Sequence, residues 1–193
     1  MYKNLEEQEL ARLCREKNRW AQEELYRRYA ARLFSLCRRY TGDADDAEDL
    51  LQDSVIQAID KIGTYTYTGE GSLYGWISRI AVNKAINQIK RQRWRWISLD
   101  ARWPNTVADP QGMVANPSEA EMEAIPEEKL LDWIAGLPDL RRAVFNLYCI
   151  DGYSHKEIGK MLGISEKGSA STLAKARIQL KEEIRRYLKE QDT

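Results

Sequence analysis

Residues 153–180 constrain the fold more than any other segment, because they have the pattern of two helices joined by a tight turn. Ser154 followed three residues later by Glu157 is typical of a capping box at a helix start. Gly163 suits the position after a helix, where a positive φ angle is needed. Ser165 is placed to cap the next helix. The segment therefore predicts a helix-turn-helix.

The second of these helices has an apolar face and a polar face. The apolar residues are Leu173, Ala176, Leu180 and Ile184. On the other face, Lys167, Ser171 and Lys175 recur every four residues. Lysines with small polar side chains suit a helix that enters the major groove of DNA, because bulky side chains would hold it away. The alternative is a two-helix packing unit with a solvated charged face.

The composition favours helix and restricts how DNA could be bound. The chain has 193 residues, enough for one large or two small domains, and only 11 are glycine and 5 proline. Its 30 basic and 30 acidic residues leave no net charge, whereas a protein that binds nucleic acid through charge alone is usually basic. Any DNA-binding charge must therefore be local and balanced by acidic faces, such as one that faces a protein partner.

The cysteines and the apolar pattern indicate a reducing, aqueous compartment. Cys14, Cys37 and Cys149 are odd in number and too scattered for a zinc site, so free thiols are the simplest interpretation. The first ten residues lack the apolar core of a signal peptide, and no apolar run is long enough to span a bilayer. We expect a cytoplasmic protein without membrane insertion, bound metal or cofactor.

Three amphipathic helices are predicted in the first third of the chain, over residues 5–16, 20–40 and 47–61. The start of the third is rich in carboxylates, which the helix dipole favours. They are Asp43, Asp45, Asp46, Glu48, Asp49 and Asp53. A metal site lacks support, since neither a histidine nor a regular ligand loop accompanies them. The remaining alternative is an exposed face that binds a partner, with Leu50 as its apolar anchor.

Residues 63–71 are predicted to form a polar loop that carries two tyrosines. Tyr65 and Tyr67 alternate with small polar residues. Aromatic side chains in a flexible loop can stack on unpaired bases. They can equally fold back onto their own domain, and the sequence leaves both outcomes open.

Residues 72–96 are predicted to form a long helix with a polar face opposite its core side. The core side is marked by Leu73, Trp76, Ile77, Ile80, Ala81 and Ala85. The polar face carries Arg79, Asn83, Asn87, Lys90 and Trp94. Asparagine is a poor helix former, but its amide can hydrogen-bond base edges while Arg and Lys hold phosphates. This face therefore favours DNA binding.

Basic residues alternate with indoles at the end of this helix. They are Lys90, Arg91, Arg93 and Arg95, interleaved with Trp94 and Trp96. This pattern suits single-stranded or junction DNA. A membrane-surface patch and tryptophans packed into the domain are the alternatives.

Residues 98–126 differ from the segments on either side. They contain four prolines among Asp, Asn, Gly and Ser, and no helical periodicity, which predicts an extended linker. Helical patterns resume over residues 127–135 and 140–150. We therefore predict an all-α fold of two small helical domains, residues 1–97 and 127–193, joined by the linker 98–126.

Three segments, in this order, resemble the extracytoplasmic-function (ECF) group of bacterial RNA polymerase sigma factors in the sigma-70 family. The helix with which that family binds the polymerase clamp is similar to AEDLLQDSVIQAID. Its segment for the promoter −10 element is similar to SLYGWISRIAVNKAINQIKR, which carries the family's core motif at Trp76, Arg79, Ile80, Ala81 and Asn83. Its −35-reading domain is similar to LPDLRRAVFNLYCIDGYSHKEIGKMLGIS and the following SASTLAKAR.

The resemblance implies a sigma region 2-like domain in the first half and a region 4-like domain in the second. It implies core-polymerase contacts by Asp46, Asp49, Leu50, Gln52 and Asp53. It implies −10 contacts by Tyr65, Tyr67, Ser72, Trp76, Arg79, Asn83, Asn87, Lys90, Arg91 and Arg93. It implies −35 contacts by Ser165, Lys167, Ser169, Ser171, Thr172, Lys175 and Arg177. In this scheme Asn83 and the preceding loop hold a base flipped from the non-template strand.

The implied function is that of a sigma factor, a non-enzymatic subunit that brings core RNA polymerase to promoter DNA. Such factors are commonly held inactive by an anti-sigma factor, so the resemblance implies that partner as well. The main alternative is a regulator that binds duplex DNA through the same helix-turn-helix without joining the polymerase. A metal-dependent nuclease that uses the carboxylates of residues 43–53 is opposed by the single histidine, His155, and by the lack of a second acidic cluster.

Overall fold

A computed structural model describes residues 5–97 and 125–191, with the exception of the side chains of residues 92–97. All regular structure in these residues is helical, which confirms the predicted all-α class. Contacts between Cα atoms divide the chain into two compact units, Met1–Ala85 and Ile86–Thr193. Within the described residues, no helix combines the length and the apolar character that a membrane crossing requires.

The first unit follows the predicted order of helices, and each helix begins and ends within three residues of its predicted position. In chain order the elements are α1 (Glu7–Arg15), α2 (Arg19–Thr41), α3 (Ala44–Lys61), a 3-10 turn (Ile62–Thr64) and α4 (Ser72–Ile97). The last of these continues past Ala85, so it runs from the first unit into the second.

Local capping explains the ends of α2 and α3. The Asn18 side chain accepts a hydrogen bond from the first turn of α2. Gly42, at a φ of 77°, ends that helix in the left-handed conformation. Asp43 then caps α3 by accepting from the N–H groups of Asp45 and Asp46 at 2.8 and 3.1 Å. Because only Gly42 and Asp43 separate α2 from α3, the two helices turn back and pack along each other.

The core of the first unit is formed by aliphatic side chains of α2, α3 and the first half of α4. The fully buried members include Leu25, Leu33, Leu50, Leu73 and Ile77. Burial of each such side chain contributes about 1.5–3 kcal/mol to the free energy of unfolding. The core therefore fixes which face of α4 is left outside.

The second unit contains the predicted helix-turn-helix and the helices before it. In chain order they are α5 (Glu127–Ala135), α6 (Asp139–Phe145), a π-helical turn (Asn146–Ile150), α7 (His155–Leu162) and α8 (Glu166–Gln191). The helix predicted over residues 140–150 is thus a short α-helix followed by one π-helical turn. Buried Arg142 donates to the carbonyls of Ala135 at 2.7 Å and Leu137 at 2.8 Å, so it ties the end of α5 to α6.

The helix-turn-helix formed by α7 and α8 confirms the predicted local geometry. Ser154 and Glu157 form a complete capping box, each side chain accepting from the other's backbone N–H. Gly163 ends α7 at a φ of 67°. The Ser165 side chain accepts from the backbone N–H of Gly168 at 2.9 Å and so begins α8.

Close packing inside the turn requires a glycine that sequence inspection did not single out. A Cβ atom on Gly159 would lie 2.8 Å from the carbonyl oxygen of Ile164. The two residues are also joined by a 3.0 Å hydrogen bond from the Ile164 N–H to the Gly159 carbonyl. A side chain at this position would force the turn away from α7.

The predicted domain boundaries at residues 97 and 127 stay predictions. The linker 98–126 lies outside the described residues except for its last two positions. Ile125, one of these, has a buried side chain rather than the extended, solvated one expected of a linker.

Candidate nucleic-acid interface

The polar face predicted for α4 is exposed in the structure. Arg79, Asn83 and Asn87 are exposed, whereas Trp76 and Lys90 are partly buried. The buried side of the helix occupies the core, so these polar groups point away from it. A row of one guanidinium and two amides can hold phosphates and hydrogen-bond base edges.

The basic and indole cluster at the end of α4 is described only at its beginning. Arg91 is exposed. The side chains of Arg93, Trp94, Arg95 and Trp96 lie outside the described residues, so that part of the prediction is untested.

The two tyrosines of the loop before α4 differ in their exposure to solvent. Tyr65 is 3 % exposed, its hydroxyl lies 2.6 Å from that of Ser72, and its ring packs 5.5 Å from Trp76. Burial also raises the pKa of Tyr65. The prediction that Tyr65 presents its ring to a base is therefore wrong, because the ring fills the base of the loop. Tyr67 is 39 % exposed and stays a candidate for stacking.

Ser72 closes the loop rather than presenting its hydroxyl to solvent. Its Oγ donates to the carbonyl of Gly69 at 2.6 Å and lies 3.4 Å from the Thr68 N–H, which donates to it. These bonds occupy the hydroxyl, so a direct DNA contact by Ser72 would have to replace them. Residues 66–71 are left exposed, with Gly69 partly so.

Helix α1 holds both ends of this loop, which was not predicted from the sequence. Arg15 donates from Nε to the carbonyl of Ile62 at 3.2 Å and from a second nitrogen to the carbonyl of Tyr65. Glu7 accepts from the N–H of Leu73 at 3.1 Å, in the first turn of α4. No local pattern could have revealed these bonds, because they join residues 47 to 66 positions apart.

The acidic face of α3 is exposed, but its predicted apolar anchor is not. Asp46, Asp49, Gln52 and Asp53 are exposed. Leu50 is fully buried in the core, so its predicted contact with a partner is wrong. Across the residues that the structure describes, no group of histidine, cysteine and carboxylate side chains could hold a metal ion.

Ile56 is the exposed apolar residue of this face that sequence inspection missed. It is 60 % exposed and lies three positions after Asp53, on the same side of α3. The sequence analysis assigned it no role, and the fold shows it outside the core. Asp53 itself pairs with Lys84 of α4 at 2.9 Å.

Of the three residues predicted for the polar face of α8, Lys167 and Ser171 are exposed and Lys175 is partly exposed. Thr172 is partly buried and donates to the carbonyl of Gly168 at 2.7 Å. The exposed ammonium groups can approach phosphates, and the short serine allows close approach to the groove.

Ser169 does not belong to this face. Its side chain is fully buried and lies 3.0 Å from Nδ1 of His155. The predicted DNA contact of Ser169 is therefore wrong, because the hydroxyl joins α8 to α7. The His155 ring also stacks on Tyr148 at 4.4 Å between ring centroids.

Two further predicted residues have partners inside the unit. The Ser165 hydroxyl caps α8, so a contact with DNA would compete with that cap. Arg177 is exposed and lies 5.8 Å from the ring of Tyr148 and 3.8 Å from Sγ of Cys149. Its role in DNA binding stays a prediction.

Family models match both halves of the chain. The model described as Sigma-70 region 2 matches residues 25–95, and the model described as Sigma-70, region 4 matches residues 127–180. The chain belongs to the sigma-70 family, in its ECF group. The matched segments contain the exposed face of α4, the acidic face of α3 and the helix-turn-helix, while α1 lies before the first match.

Curated sigma factors are similar to this sigma-70 family chain over most of its length. The ECF RNA polymerase sigma factor SigE of Mycolicibacterium smegmatis is 28 % identical over 169 residues, which span 87 % of this chain and 63 % of that protein. The RNA polymerase sigma factor YlaC of Bacillus subtilis is 26 % identical over 180 residues, 91 % of this chain and 98 % of that protein. The chain thus spans somewhat less than two thirds of SigE and nearly all of YlaC.

Among solved structures, the sigma factor RpoE from Bartonella quintana, in complex with the anti-sigma factor NepR, is 20 % identical. The similarity covers 84 % of this chain and 96 % of that chain, with a TM-score of 0.49.

Proposed function

We propose that this chain directs transcription initiation by binding core RNA polymerase and recognising the −10 and −35 elements of promoters. The observation that carries the proposal is the exposed arginine-and-asparagine face of α4, which continues from a loop whose tyrosine Tyr67 is exposed. A regulator that binds only duplex DNA, through its helix-turn-helix, would not require an exposed arginine-and-asparagine face on α4.

The α4 face and the loop suit capture of an unpaired base. Separating DNA strands costs about 1.4 kcal/mol for each base step that loses its stacking. A protein lowers that cost when it binds a base that has left the stack. We assign base-edge hydrogen bonds to Asn83, phosphate binding to Arg79 and stacking to Tyr67.

The acidic face of α3 supplies the surface for the polymerase core. Asp46, Asp49 and Asp53 provide negative charge, and Ile56 provides the apolar anchor that Leu50 cannot. The ion pair of Asp53 with Lys84 does not oppose this role, since pairs of exposed charges contribute only about 0–1 kcal/mol.

The polar face of α8 supplies the duplex contact at the −35 element. We assign phosphate binding to Lys167 and Lys175, and close approach to the groove to Ser171. Because the chain has no net charge, each of its two DNA contacts is expected to be weak alone. Joining them through one chain, oriented by the polymerase, raises the effective concentration of the second contact after the first.

Run-off transcription with purified core polymerase on a set of genomic promoters tests this proposal. We expect the chain to produce discrete transcripts that core polymerase alone does not make. Absence of such transcripts, together with tight sequence-specific duplex binding by the isolated chain at physiological salt, would identify a regulator outside the polymerase instead.

The same proposal places the protein in the cytoplasm with its polymerase, and it includes an anti-sigma protein as a regulatory partner. Both points rest on membership of the ECF group.

A further inference from the structure

We propose that α1 positions the base-capturing loop, with Arg15 and Glu7 as the positioning residues. This inference rests on the proposed function, because it concerns how the loop at residues 66–71 is made ready for a flipped base. The helix lies outside the segment matched by the region 2 model, which begins at residue 25.

Arg15 fixes the beginning of the loop. Its guanidinium donates to the carbonyls of Ile62, the first residue of the 3-10 turn that follows α3, and of Tyr65, the residue after that turn. The Ile62 carbonyl also accepts from the Tyr65 N–H at 3.2 Å, and carbonyls at the end of a helix favour a cation. Because the guanidinium is a planar fork of donors, it fixes two acceptors relative to each other, which a lysine ammonium does less well.

Glu7 fixes the end of the loop. One carboxylate oxygen accepts from the N–H of Leu73 at 3.1 Å, where the dipole of α4 favours negative charge. The other accepts from the hydroxyl of Tyr29 on α2 at 2.8 Å, so the carboxylate is itself held. Burial, with the hydrogen bond to Glu7 next, raises the pKa of Tyr29, which keeps this donor protonated.

The two anchors lie at opposite ends of one rigid helix. Glu7 is the first residue of α1 and Arg15 the last, which separates them by about 12 Å along the helix axis. The helix therefore acts as a spacer that sets the distance between the two ends of the loop. Between these ends, the side chains of Thr66, Tyr67, Thr68 and Glu70 are exposed. Because the loop is already held at both ends, less conformational entropy is lost when a base binds to it.

The test compares variants of the full chain assembled with core polymerase, using a fluorescent non-template-strand oligonucleotide that spans the −10 element. We expect Arg15→Ala to weaken binding of this strand about tenfold, since it removes two hydrogen bonds from a charged group. Affinity for core polymerase and for −35 duplex should change less than twofold. Arg15→Lys should give an intermediate loss.

Arg12→Ala is the matched control. Arg12 lies on the same helix but pairs with Glu9 and Glu16 and is exposed, so its removal should leave strand binding unchanged. Glu7→Gln should weaken strand binding in the same direction as Arg15→Ala. If Arg15→Ala does not fold, Arg15→Lys and Glu7→Gln carry the comparison.

An abasic scan separates positioning of the loop from loss of stability. When the captured base is absent from the oligonucleotide, wild type and Arg15→Ala should bind it alike. The inference is overturned if Arg15→Ala and Glu7→Gln bind the intact strand as wild type does, or if core binding falls by the same factor. Failure of the wild-type holoenzyme itself to bind the strand would instead overturn the proposed function.

Discussion

The α4 face with its loop and the helix-turn-helix are both candidate DNA contacts, yet they are built in different ways. The helix-turn-helix is specified by neighbours in sequence: Ser154 with Glu157, then Gly163, then Ser165. The loop before α4 is instead held by Arg15 and Glu7, from a helix some fifty residues or more earlier.

The difference follows from what each site must bind. A duplex groove has a fixed shape, so a rigid pair of helices with short side chains on one face suffices. A flipped base is bound at a lower ordering cost when the loop is held in place before the base arrives, and Arg15 and Glu7 add this support to the hydrogen bonds of Ser72 within the loop. If the α4 face with its loop and the helix-turn-helix bind different forms of DNA, mutations in one site should leave DNA binding by the other unchanged.

The largest effect is expected at the α4 face. Asn83→Ala should reduce open-complex formation by about 10- to 100-fold, because specific contacts to base edges contribute about 1–3 kcal/mol. Gln88→Ala, at another exposed position of α4, is the control. The measurement is 2-aminopurine fluorescence in the −10 element with saturating core polymerase. Equal losses of melting and core binding would contradict the assignment.

A somewhat smaller effect is expected at the core-binding face of α3. Ile56→Ala should weaken binding to core polymerase about tenfold, since an apolar anchor at an interface contributes more than 1 kcal/mol. Titration of labelled core measures this, with Leu131→Ala as the exposed aliphatic control in the second unit. If both variants bind core as wild type does, Ile56 is not part of the interface.

The duplex contact should show a smaller and salt-dependent effect. Lys175→Ala should weaken −35 binding about equally across sequences and reduce the salt slope by about one, because one phosphate contact is lost. Arg186→Ala, farther along α8 and paired with Glu183, should leave the slope unchanged. Holoenzyme binding to −35 duplex over a range of salt concentrations measures both. A sequence-dependent loss for Lys175→Ala would indicate a base contact instead.

The smallest effect concerns stability of the helix-turn-helix. Ser154→Ala should lower the free energy of local unfolding of α7 by about 1 kcal/mol, because a helix cap is lost. Hydrogen exchange of α7 amides measures this, and Ser35→Ala on α2 should leave those amides unaffected. Unchanged exchange in Ser154→Ala would show that the capping box does not limit opening of α7.

Acid should act on the same capping box. Hydrogen bonds from the Ser154 side chain and backbone lower the pKa of Glu157 below its usual 4.5. The stabilisation is therefore complete above pH 4.5 and is lost as pH falls through the lower value of the folded state. Protection factors of the α7 amides, which correct for the intrinsic pH dependence of exchange, should fall over that acidic range in wild type and less so in Ser154→Ala. The same fall in protection in both proteins would exclude Glu157 as the cause.

Helical periodicity and capping residues predicted most of the helices but only some of the candidate DNA- and polymerase-binding residues. Periodicity located α2 and α4 because their buried faces repeat every three to four residues, and caps located the turn after α7. The same periodicity could not tell that Leu50 faces the core while Ile56 faces solvent, since both are aliphatic and only the packing of α2 decides. The burial of Tyr65 and Ser169 also went unpredicted, because each is held by a side chain outside its own turn, seven and fourteen residues away respectively.

If two separate surfaces of the chain read two forms of DNA, site-specific photocrosslinking should join each surface to its own part of the promoter. A photoreactive residue would replace Tyr67 in one protein and Lys167 in another, each assembled with core polymerase on a promoter. We predict crosslinks from position 67 to the non-template strand of the −10 element and from position 167 to the duplex around −35. Crosslinks from position 67 to upstream duplex, or none to the melted strand, would show that the loop before α4 does not bind the unpaired −10 strand.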